Sequence, residues 1–99
     1  MSLKVEWPSR LTGQLARLGL PDGVLVEVYH RLRDEFIPDP LRYLRRMLEP
    51  FDGLVYSFAL IDPDNRFSEH HLYFHVFYHQ DEERLIVSRV AYIRSIGIG

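Results

Sequence analysis

At 99 residues the chain has the size of one domain built round a single hydrophobic core, and its 46% apolar and 13% aromatic share excludes a disordered tail. The absence of cysteine excludes disulfides and thiolate chemistry. A formal charge of −2, from 12 Lys+Arg and 14 Asp+Glu, has the wrong sign for a general nucleic-acid binder, whose affinity comes largely from counterion release by basic side chains. Only a local basic site is compatible with it. No apolar stretch approaches the ~20 residues of a membrane span. The first residues lack the apolar core of a signal peptide, so a cytoplasmic protein is expected.

Val5 to Trp7, stopped by Pro8, suits a brief strand. Ser9 is placed as a helix cap, and Leu11, Leu15 and Leu18 then fall at i, i+4 and i+7, one buried stripe. Gly19 ends that helix and Pro21 opens the next, where Val24, Val28, Leu32 and Phe36 line one face with Leu25 and Tyr29 beside them. Two helices joined by Gly19-Leu20-Pro21 are expected to form an antiparallel hairpin. Pro38 and Pro40 break the chain, and a short third helix is expected from Pro40, capped by Asp39 and closed by Pro50. It would carry Leu41, Leu44 and Leu48 inward and Arg42, Arg45 and Arg46 toward water. Those arginines, the one dense basic patch, read either as a solvated helix face or as a phosphate-facing patch.

Across residues 48–53 the apolar spacing turns from helical to strand-like. Leu54–Ile61, Leu72–His79 and Leu85–Tyr92 are the expected strands, separated by the turns Asp62-Pro63-Asp64-Asn65 and Gln80-Asp81-Glu82-Glu83. Short connections predict an antiparallel meander, about four strands once the N-terminal strand joins an edge. Neither layer can hide its apolar side alone, so the fold class is α+β, a helix hairpin packed on one sheet face, with residues 1–99 a single domain.

Histidines crowd the middle strand. His71, Tyr73, His75, Phe77 and His79 alternate onto one face, and Leu72, Phe74, Val76 and Tyr78 onto the other, the expected core face. Positions four apart on a strand are separated by about 13 Å, too far for one ion to bind His71, His75 and His79 together. A metal site would need Glu69, Asp62 or Asp64 as well. No metal and no cofactor are expected. The same face suits acid–base chemistry on a phosphodiester. Attack by an RNA 2′-hydroxyl needs a base, an acid for the leaving oxygen and a cation for the extra negative charge. His75, Tyr92 and Arg89 or Arg94 are the right types. An exposed polar sheet face with ordinary pairing is the alternative.

Two segments carry a family resemblance. Leu15-Ala16-Arg17-Leu18-Gly19-Leu20-Pro21, followed by Val24 to Leu32 and Asp39-Pro40, is similar to the two-helix segment of the RelE/ParE superfamily of bacterial toxin–antitoxin toxins. Leu85-Ile86-Val87-Ser88-Arg89-Val90-Ala91-Tyr92-Ile93-Arg94 resembles that family's final strand, in which an arginine, a valine and a small residue precede a basic tail. The resemblance implies a RelE/ParE-like fold and a cognate antitoxin protein as partner. RelE-like members cut mRNA on the ribosome without metal, through basic and aromatic residues on the sheet face and near the C-terminus. ParE-like members share the fold and inhibit DNA gyrase. On the first branch Arg89 and Arg94 would stabilise phosphate charge, Tyr92 and His75 would exchange protons, and Tyr56 would stack on a base. On the second the chain is a non-catalytic binding protein. Nuclease members usually place lysines or arginines on the strand after the helices, whereas Leu54 to Ile61 carries none, and the common His-Arg pair of the last strand stands here as Tyr92-Ile93.

Overall fold

A computed structural model describes residues 3–47 and 53–97. In chain order the elements are β1 (Lys4–Glu6), α1 (Ser9–Arg17), α2 (Asp22–Arg31), α3 (Pro40–Tyr43), β2 (Arg45–Met47), β3 (Gly53–Asp62), β4 (Asn65–His79) and β5 (Arg84–Ile96). The described residues are α+β, three α-helices with a five-stranded mixed sheet.

The helical stripes are buried as their spacing requires. Leu11 and Leu15 of α1 and Val24 and Val28 of α2 share one core with Leu32 and Phe36. Those last two lie on a π-helical turn, Leu32–Phe36, that continues α2, the Ile37 N–H reaching back to the Leu32 carbonyl at 2.9 Å. Gly19 ends α1 at φ +74°, a left-handed conformation that favours glycine. Ser9 does not cap. Pro8 holds the cap position and Ser9 is the first helical residue, because the fixed φ of proline already supplies the entry geometry.

The third helix is shorter than its spacing suggests. It ends at Tyr43, and Leu44 is extended, so Arg45 and Arg46 belong to a strand rather than a helix face. Leu41, expected inward, is 62% exposed, since a single turn cannot present a continuous apolar stripe. Leu48, Pro50 and the change of spacing at 48–53 lie outside the described residues.

The sheet order is β1-β5-β4-β3-β2. β2 to β5 are antiparallel, and β1 joins the edge parallel to β5. The expected antiparallel meander of about four strands is therefore a mixed sheet of five, with β2 the strand that apolar spacing missed. β4 begins at Asn65, seven residues ahead of the expected start at Leu72, and β5 runs on to Ile96.

Residues opposite one another on neighbouring strands share a face. The helix-packed face carries Leu54–Val76–Val87, Tyr56–Phe74–Val90, Phe58–Leu72–Tyr92 and Leu60–His70–Arg94. Leu72, Phe74, Val76 and Val87 are buried there. Tyr78, expected in that core, is 40% exposed, as it lies next to the last residue of β4, although its partner Leu85 is fully buried. The other face carries Val55–His75–Arg89, Ser57–Tyr73–Ala91, Ala59–His71–Ile93 and Ile61–Glu69–Ser95. Ser57, Ala59, Ile61 and Ile93 on it are exposed.

Candidate functional site

The two faces divide the predicted catalytic residues. His75 and Arg89 are direct partners across β4 and β5 on the open face. Tyr92 and Arg94 lie on the helix-packed face. A sheet with side chains pointing both ways cannot bring all four to one phosphate. The register that decides this contains a bulge. Val76 pairs with Val87 and His75 with Arg89, so Ser88 is the extra residue. Its Oγ donates to the His75 carbonyl at 3.1 Å, and its own carbonyl accepts from Arg10 of α1 at 2.8 Å. The bulge is thus held on both sides.

The open face carries a basic rung. Arg45 of β2 pairs with Val55, Val55 with His75, and His75 with Arg89, so one line across four strands reads Arg45, Val55, His75, Arg89. Arg89 is thus the direct neighbour of the imidazole, while the 1% exposed Val55 stands between His75 and Arg45. Burial, and after it the Arg89 charge, hold the His75 pKa below its ordinary value. The shift favours the neutral form of the ring, the form in which an imidazole can act as a base. Tyr73 stands on the next rung between Ser57 and Ala91, two small neighbours.

The other predicted binding residues scatter. Tyr56 is 2% exposed and stacks on Phe36 with ring centroids 4.6 Å apart. Its ring is thus part of the core rather than a surface for a base. Burial, with the Glu35 charge, raises its phenol pKa. Arg42 lies over the Tyr43 ring, 5.7 Å from its centroid. Arg45 Nη1 donates to the carbonyls of Arg42 and Leu44, at 3.3 and 3.2 Å. Arg46 pairs with Leu54, hence on the face opposite Arg45. Among the described residues no three histidine or carboxylate side chains gather as a metal-ligand set.

A second cluster lies on the helix-packed face beyond the apolar core, and periodicity gave it no role. His70, 1% exposed, sits between Asp62 and Tyr92. An ionised carboxylate only accepts, so in the neutral ring Nε2–H donates to Asp62 Oδ2 at 3.0 Å and Nδ1 accepts from the Tyr92 hydroxyl. The Asp64 backbone N–H, donating to Asp62 Oδ1 at 2.9 Å, and then His70 hold the Asp62 carboxyl below its ordinary range. Tyr92 stacks on the His70 ring at 5.7 Å. Arg94 Nε donates to the hydroxyl of the fully buried Ser68 at 2.9 Å. Parity with Leu72 puts His70 on the core face, and that was the one available signal. Nothing in the spacing says that Asp62 of the turn folds back onto it. No protein-family model matches the chain, and no curated protein matches it.

Proposed function

We propose that the chain is a toxin of RelE/ParE type that cleaves mRNA without metal through the open face of its sheet. The observation that carries this reading is the rung Arg45–Val55–His75–Arg89. The His75 imidazole accepts the 2′-hydroxyl proton, and the Arg89 guanidinium opposite it takes up charge on the phosphorane-like transition state. Tyr73, between Ser57 and Ala91, replaces Tyr56 as the ring on which an unstacked base lies. The layout of strand, two helices and sheet also fits the family whose helix segment and last strand this chain resembles. In this reading a cognate antitoxin covers the same face when the toxin is held inactive, and the ribosome presents the mRNA.

A non-catalytic variant of the same fold, acting on a protein such as gyrase, is favoured by one observation. Ile61 and Ile93 are exposed on the very face that would bind RNA, 64% and 57%. Induced expression separates the two readings. The nuclease halts growth and yields cut transcripts, and Arg89→Ala abolishes both effects. Growth arrest with intact mRNA sinks the nuclease and leaves the protein-directed inhibitor. No arrest at all sinks the toxin itself.

A further inference from the structure

Asp62, His70, Tyr92 and Arg94 are not used by the open-face chemistry, and they lie on the opposite side of the sheet. Their bonds run in one direction. Asp62 accepts from Nε2 of His70, and Nδ1 of His70 accepts from Tyr92. A hydroxyl hydrogen-bonded to a base that is itself oriented by a carboxylate is the general signature of an activated nucleophile. The bond between Asp62 and His70 is fully buried, whereas that between His70 and Tyr92 is partly so. The hydroxyl end is therefore the less buried end of the relay. Arg94 stands at that end, held through Nε by Ser68 and close enough to favour ionisation of the Tyr92 phenol.

We infer that Tyr92 is a second reactive centre, a tyrosine nucleophile toward phosphate esters, with His70 as its general base, Asp62 as the residue that positions His70, and Arg94 as the phosphate-facing cation. Tyr92 Oη attacks phosphorus as its proton passes to His70 Nδ1. The bond from phosphorus to the leaving oxygen breaks, the leaving oxyanion carries the electron pair away, and His70 returns the proton to it or to water. The product is a tyrosyl phosphodiester and a free alcohol. Burial raises the Tyr92 pKa, so the phenol keeps its proton until a base removes it. Asp62 stabilises the imidazolium formed in that step, as the third member of such a relay does. Arg94 selects a phosphate ester over a carboxylic ester, because a guanidinium offers a fork of donors that fits phosphate oxygens.

The probe is bis(4-nitrophenyl) phosphate, incubated with the full chain at about pH 8. The expected result is stoichiometric release of 4-nitrophenol with one aryl phosphoryl adduct, mapped to Tyr92 by peptide mass spectrometry. Tyr92→Phe loses the adduct and Tyr78→Phe keeps it. Asp62→Asn slows labelling by about 10²-fold, the lower end of what a positioned base contributes. No adduct, an adduct spread over several tyrosines, or an unchanged rate in Asp62→Asn overturns the proposal. If Asp62→Asn fails to fold by circular dichroism, Arg94→Gln decides. Slower labelling then supports the relay, and an unchanged rate refutes it. Adduct formation on Tyr92 is read independently of transcript cleavage, so either proposal can fail while the other stands.

Discussion

Replacing Tyr92 with phenylalanine removes one oxygen and leaves the ring that stacks on His70. The loss falls on the Nδ1 atom of an imidazole that is 1% exposed. Asp62 fixes the other nitrogen, so the ring cannot turn to find a new donor without giving up that bond. A buried acceptor left without a partner costs about 1–3 kcal/mol. The Tyr92 end of the relay is only part-buried, which moves the expected loss to the lower part of that range, about 1–2 kcal/mol. In a domain of this length each kcal/mol lowers the melting temperature by about 4–8 °C. Urea unfolding followed by circular dichroism measures the loss directly. The midpoint should fall while the slope with denaturant stays unchanged. Tyr78→Phe, at a 40% exposed position, should stay within about 0.5 kcal/mol of wild type. A Tyr92→Phe protein as stable as wild type would refute the reasoning, because His70 would then have no bond to lose. The predicted loss is also small against a usual total of about 5–15 kcal/mol, so the variant stays folded and its labelling can be read.

Phe36 and Tyr56 form the stacked contact between the α2 extension and β3, so a double-mutant cycle of Phe36→Leu and Tyr56→Leu should show a coupling of about 0.5–1.5 kcal/mol in urea unfolding. Additive losses would mean that the rings do not meet. The Asp62 carboxyl titrates below its ordinary value of 3.8 in the folded state, so the unfolded chain binds the proton more readily as the pH falls. The stabilisation it gives is complete above the unfolded value and is lost as the pH drops through the lowered folded one. Asp62→Asn should therefore flatten the acid limb of a stability-against-pH curve, and an equally steep limb in both proteins would contradict this. Glu83 sits at φ 49°, a left-handed conformation that costs a non-glycine residue about 1–2 kcal/mol, so Glu83→Gly should raise the melting temperature by several degrees. A lower melting temperature would show that the side chain contributes more than the strain removes.

Apolar spacing was enough for the layers. Leu11 and Leu15, then Val24, Val28, Leu32 and Phe36, are buried along the stripes their intervals define. The turn around Pro63-Asp64 and the αL glycine at Gly19 stand where residue chemistry places them. What spacing did not show was decided by contacts between distant segments. Arg45 to Met47 has no strand-like pattern of its own and becomes β2 by pairing with Gly53 to Val55. Asn65 to His71 looks polar, yet Ser68 and His70 are buried because Arg94, Asp62 and Tyr92 meet them. Polar residues that satisfy one another in a core leave no periodic trace in a sequence.

Ser88 accounts for the division of the candidate site. Alternation along an unbulged β5 would continue the pairing of Val76 with Val87, so that Ser88 faced His75, Arg89 faced Phe74 and Tyr92 faced His71. Arg89 would then point into the apolar core, and Tyr92 would lie on the open face beside the histidines. The one extra residue reverses every side chain from Arg89 to Ile96. It places Arg89 on the open face opposite His75, and turns Tyr92 and Arg94 inward to His70 and Ser68. The same insertion that sets Arg89 beside His75 on one side completes the buried relay on the other. Because its carbonyl is held by Arg10 and its hydroxyl by the His75 carbonyl, the bulge cannot slide along the strand without breaking both bonds. The separation of the two candidate centres is therefore a property of the register itself.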